Sequence, residues 1–175
     1  MSDVQALALV EQILDEHQQI HHDFQSLDQV SSDVEAAARL ESDKTKDYFV
    51  SKSLDDQGLG LAKWKGMLEA IDHGLKAHFL REETALTEAF KREGTPELAS
   101  ALSELLAEHA AINQHVAALL KTAEDIASGG SRIEVWEGKG WGMKINIQNL
   151  RSEIAAHAER ERVLLGQMKT HLKNS

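Results

Sequence analysis

Two histidine–glutamate pairs carry the chemistry that this chain can do: His78 with Glu82, and His157 with Glu161. Four residues make slightly more than one α-helical turn, so each pair shares one helix face. In both pairs that face continues an apolar stripe. Glutamate is rarely buried without a partner, and two inward glutamates, each beside an imidazole, call for a cation. Imidazole nitrogen with carboxylate oxygen suits iron, manganese or zinc. A carboxylate bridges two ions and an imidazole does not, so two such glutamates suggest a dinuclear centre.

The elements that must position these pairs follow from apolar periodicity. Residues 3 to about 30 are expected as a first helix, with Ser2 and Gln5 as a capping box and a stripe of Val10, Ile13, Leu14, Ile20, Phe24 and Leu27. Residues 31 to about 60 are expected as an irregular insertion holding a short helix over 34–40, with Tyr48 and Phe49 as anchors and Gly58 and Gly60 as punctuation. A second helix spans 61 to about 92, its stripe passing through Trp64, Leu68, Ile71, Leu75, His78, Phe79, Glu82, Leu86 and Phe90; Glu83 is expected to point into solvent. Gly94-Thr95-Pro96 is the clearest punctuation, with Gly94 suited to C′, Thr95 to the N-cap and Pro96 to the first helical position. A third helix then runs to about 127 and ends at Ser128-Gly129-Gly130. Residues 131 to about 142, with Trp136, Trp141 and three glycines, are expected as an ordered loop whose tryptophans fold back on the helices. A fourth helix covers 143 to 173. The expected fold is therefore all-α: one domain over 1–175, an antiparallel up-down four-helix bundle with an insertion between helices one and two and an ordered loop before helix four.

Each helix then carries one inward histidine: His17, His78, His109 and His157. Gly94 is nearly equidistant from His78 and His109, so an antiparallel hairpin would set both about 23 Å from the turn, level with each other. Two six-coordinate ions need about twelve donor atoms. Two bridging carboxylates, four imidazoles and a bridging oxide leave about two positions for His21, water or a small ligand. His21 lies one turn beyond His17 on the same side, and its alternative is a core histidine bonded to a carboxylate. His22, His73 and His115 fall off the inward faces.

Composition removes other classes. A net charge of −10 without a basic stripe argues against nucleic acid. No apolar run approaches a membrane span, and the N-terminus has no basic-then-apolar leader, so the expectation is a cytoplasmic protein without a membrane partner. Zero cysteines exclude thiolate metal sites and iron–sulfur ligation. There is no Glu-x-x-His as in ferritin-like di-iron proteins, no His-Glu-x-x-His zinc helix and no phosphate-binding glycine loop.

The order Glu16-His17, His78-x-x-x-Glu82-Glu83, Glu108-His109-x-x-Ile112, His157-x-x-x-Glu161 resembles the hemerythrin-like, or HHE cation-binding, family over roughly 10–168. The resemblance implies a four-helix bundle with a non-haem di-iron centre, two iron ions joined by an oxo or hydroxo bridge. Carried over, His17, His78, His109 and His157 are terminal ligands and Glu82 and Glu161 the bridges. It implies a protein that binds or reacts with O2, peroxide or nitric oxide; the alternative is a non-catalytic module that senses or buffers metal. The residues do not specify a catalysed reaction or a protein partner, and zinc would satisfy the same donors chemically. Oxygen-carrying hemerythrins have His-x-x-x-His on helix three, where this chain has His109 and Asn113, and aspartate five residues after the last histidine, where this chain has Glu161 four after His157.

Overall fold

A computed structural model describes residues 3–44, 61–129 and 132–174. The described residues are almost wholly helical and fall into four helical stretches. The first is α1 (Asp3–Lys44). The second is α2 (Leu61–Arg81), a π-helical turn (Glu82–Leu86) and α3 (Thr87–Glu93) in continuous succession. The third is α4 (Pro96–Leu106) followed after a two-residue break by α5 (His109–Ala127). The fourth is α6 (Ile133–Asn174). None of these helices is long and apolar enough to cross a membrane.

Three expectations are corrected. The first helix does not stop near residue 30 but runs unbroken to Lys44. Ser31 donates its hydroxyl to the Leu27 carbonyl four residues back, which satisfies the side chain inside a helix. The expected loop over 131–142 is instead the opening of α6 from Ile133. Within it Trp136 is buried and donates to the Ile126 carbonyl, whereas Trp141 is 62% exposed rather than folded back. The insertion anchors Tyr48 and Phe49, with Gly58 and Gly60, lie outside the described residues.

The turn between α3 and α4 forms where the glycine, threonine and proline demand it. Thr95 is the N-cap of α4, its hydroxyl accepting from the Leu98 amide, with Pro96 at the first position. Gly94 is an extended C-cap rather than a left-handed C′ residue. Its requirement is space: a Cβ there would meet the Phe90 carbonyl oxygen at 2.5 Å.

Residue contacts divide the chain into two compact units. One comprises Met1–His22, His73–Asn113 and Ser152–Ser175. Its apolar core joins Val10 and Ile13 of α1, Leu86 of the π turn, Phe90 of α3, Leu102 of α4, and Leu165 and Met168 of α6. The other comprises the described residues of Asp23–Asp72 and Gln114–Arg151. There the Trp64 indole donates to the Ser31 hydroxyl at 2.6 Å in a buried setting.

Candidate metal centre

All six inward histidines and glutamates lie in the first unit. His78, Glu82, His109, His157 and Glu161 are each at most 2% exposed, and His17, at the rim, is 11% exposed. Their donor atoms form two groups, His17–His78–Glu82–Glu161 and Glu82–His109–His157, with the atoms of each group within 4.8 Å of one another. Glu82 belongs to both. One of its oxygens lies 2.7 Å from His78 Nε2 and the other 3.1 Å from His109 Nε2. Thus His78 and His109, expected to be level across the core, reach the same carboxylate. Glu161 Oε2 lies 3.0 Å from His17 Nε2 and 3.9 Å from His157 Nε2. His21 is solvent-exposed and belongs to neither group. Four residues overshoot a helical turn by about 40°; His17 is already at the rim, and His21 is turned further outward.

Two departures from ideal helix shape the site. The π turn begins at Glu82, and the Thr87 hydroxyl donates to the Glu82 carbonyl five residues back. A π turn widens the helix locally and is often found at functional sites. The second departure is the break at Ala107–Glu108, where the Glu108 amide drops back to the Leu105 carbonyl before α5 begins at His109. These two places supply Glu83 and Glu108, which sequence reasoning did not assign.

Three of the imidazoles are held from behind. His78 Nδ1 donates to Glu16 at 2.8 Å, His109 Nδ1 to Glu83 at 2.9 Å and His157 Nδ1 to Glu108 at 3.0 Å. A carboxylate at the pH of a cell accepts only, so each contact fixes the proton on Nδ1 and leaves the Nε2 lone pair facing inward. Arg81 grips both oxygens of Glu16, and Arg160 pairs with Glu108. The signal for this shell was in the chain: Glu16 and Glu108 directly precede His17 and His109, and Arg81 and Arg160 follow His78 and His157 by three residues. Glu83, expected to be solvated, is half-exposed and still reaches His109. Phe79 stacks on the His109 ring with centroids 3.8 Å apart and planes 12° from parallel, and stands edge-on to His157. It fixes the ring planes and keeps the centre apolar.

The charges are strongly coupled. Burial alone would lower the His17 pKa, but Glu161 and Glu82 outweigh it and raise it to about 9. Burial also opposes ionisation of Glu82, yet His109, His17 and His78 hold its carboxyl well below the ordinary range. His109 is pushed down by burial and, on balance, up by Glu82 and Glu83. His157 is lowered, mainly by burial. Glu16 and Glu108 resist burial and are lowered by their histidine and arginine partners.

The donors fit a metal. His17 Nε2 and all four oxygens of Glu82 and Glu161 are buried without a hydrogen-bond partner. In the neutral ring that a metal requires, His78 and His109, whose Nδ1 protons go to Glu16 and Glu83, turn a lone pair toward the Glu82 oxygens, whereas without metal the raised pKa of His17 puts a proton between its Nε2 and Glu161. Such acceptors converge when a cation lies among them: ligands about 2.0–2.2 Å from an ion stand about 3–4 Å from one another, which matches the 2.7–3.9 Å seen here.

The hemerythrin HHE cation-binding domain model matches residues 8–168. The chain belongs to the hemerythrin HHE family. No curated protein and no solved structure matches it. The matched span contains all six inward histidines and glutamates, in a family named for binding cations, and the described helices bring their donor atoms together.

Proposed function

We propose that this HHE-family chain is a non-haem di-iron protein of antiparallel four-helix architecture that binds or reacts with O2, peroxide or nitric oxide. The observation that carries the reading is Glu82, whose two oxygens address two separate histidine sets. In the proposal Glu82 and Glu161 would hold both ions, with His17 and His78 completing the hold on one and His109 and His157 on the other. Iron in such a site supplies redox change and open coordination positions. The chain supplies the rest. Glu16, Glu83 and Glu108 hold three imidazoles in the ligating tautomer. Phe79, stacked on His109 and edge-on to His157, limits water at the centre. The absence of a cysteine donor set keeps the ligand field to nitrogen and oxygen.

A sensing or buffering role is favoured by one further observation: the five orphaned donor atoms make the metal-free state costly. A carrier or reactive centre keeps its fold when stripped of metal, whereas a sensor loses helix.

The test is metal content of Glu82→Gln and Glu161→Gln beside the parent after identical iron loading. An amide is a poor bridge, so each variant is expected to retain at most about half of the parent's iron. Full iron in both variants would remove the bridging roles.

A further inference from the structure

Asn113 stands one turn beyond His109 in α5, where the oxygen-carrying hemerythrins have a further histidine. Its Oδ1 is buried and has no hydrogen-bond partner among the described residues. Side chains of a helix lean toward its N-terminus, so the Asn113 amide leans over the turn that carries His109. The donor group to which His109 belongs, Glu82, His109 and His157, is the smaller of the two. A neutral amide is a weaker ligand for iron than imidazole. A buried polar atom left without a partner costs about 1–3 kcal/mol, and leucine or alanine would fill the position without that cost.

We infer that Asn113 faces an open coordination position on the ion held by Glu82, His109 and His157, so that both ions of the centre, not one, take up an exogenous small anion or diatomic molecule. The inference rests on the di-iron reading above. Asn113 is a specificity-determining residue and not an iron ligand. A half-turn of its amide exchanges oxygen for nitrogen, so it accepts a hydrogen bond from bound water or donates one to a bound anion. With water in the position the orphaned oxygen accepts from it, and with an anion there the turned amide presents its N–H instead. With Glu161 as the second carboxylate of the proposed ligand set, two imidazoles, two carboxylate oxygens and a bridging oxygen would leave about one position free on each six-coordinate ion.

The experiment is azide titration of the iron-loaded protein, followed by the visible charge-transfer band, with iron measured first on the same sample. The parent is expected to carry two irons and bind two azides, and Asn113→His to carry two irons and bind one. A parent with two irons that binds a single azide, or an Asn113→His variant that still binds two, overturns the inference and leaves the di-iron reading standing. Fewer than two irons in the parent overturns both, and is recognised before azide is added. Should Asn113→His fail to fold, Asn113→Ala decides: it is expected to bind two azides, one of them about 3- to 10-fold more weakly for want of a hydrogen bond. Unchanged affinity for both azides in Asn113→Ala overturns the inference.

Discussion

The Nε2 atoms of His109 and His157 face each other at 3.2 Å, while Glu83 and Glu108 hold the Nδ1 of each ring. With both protons engaged on the far side, two lone pairs meet in a dry setting. That arrangement repels unless a proton or a cation lies between them. His78, with its Nδ1 held by Glu16, likewise turns Nε2 toward a Glu82 oxygen at 2.7 Å, and His17 meets Glu161 at 3.0 Å by carrying a proton, so the site as a whole is organised for positive charge.

The carboxylates behind the histidines are the first residues to test. Glu108→Ala is expected to weaken metal binding about 10- to 100-fold, because the His157 tautomer is no longer fixed. Glu108→Gln, whose amide oxygen still accepts from Nδ1, is expected to stay closer to the parent. Chelator competition measures both. Equal affinity for the alanine variant and the parent would show that Glu108 serves only its pair with Arg160.

The pH dependence has a definite sign. The folded pKa of His17 lies above its ordinary value of 6.5, at about 9. Its contribution to metal-free stability is thus fully present below about pH 6.5 and is lost as pH rises through about 9. His157 works in the opposite sense, since a depressed histidine costs stability as pH falls through its ordinary value. Metal needs the neutral imidazole. Iron loading at neutral pH is therefore expected to release protons into a weakly buffered solution, about one per chain from His17, and affinity is expected to rise between pH 7 and 9. Proton-free uptake would contradict a ligating His17.

Ser31 predicts stability away from the centre. It accepts from the buried Trp64 indole and donates to the Leu27 carbonyl. Ser31→Ala leaves the indole N–H without a partner and is expected to cost about 1–3 kcal/mol in chemical denaturation, with metal content unchanged. A neutral substitution would mean that water reaches the indole.

How much of this was legible in the chain depends on the kind of interaction. The stripes that set Val10, Ile13, Phe24, Leu75 and Phe90 inward are periodic, and all five are buried. The same periodicity picked out His17, His78, Glu82, His109, His157 and Glu161. The π turn was not legible, because Glu82-Glu83-Thr84-Ala85-Leu86 is ordinary helix-forming sequence with nothing in it that marks a widened turn. Nor was the break at Ala107–Glu108, which lies between good helix formers. Glu83 and Glu108 act across to other helices, and a one-helix pattern does not register such contacts. The opening of α6 misled for the reverse reason: glycines at 138, 140 and 142 favour a loop, yet the backbone there is helical.

Those glycines give a further prediction. A Cβ at Gly138, Gly140 or Gly142 meets nothing within 4 Å. Alanine at all three is expected to stabilise the protein by about 2–3 kcal/mol, since glycine costs nearly 1 kcal/mol relative to alanine inside a helix. Thermal denaturation measures the gain. Loss of stability would mean that this stretch is not helical in solution.

Metal content by mass spectrometry on aerobically purified protein, with its visible spectrum, tests the central claim most directly. The expected result is about two irons per chain, with near-ultraviolet oxo-bridge bands that azide or nitric oxide perturbs. One zinc per chain, or a folded protein without metal, would contradict it.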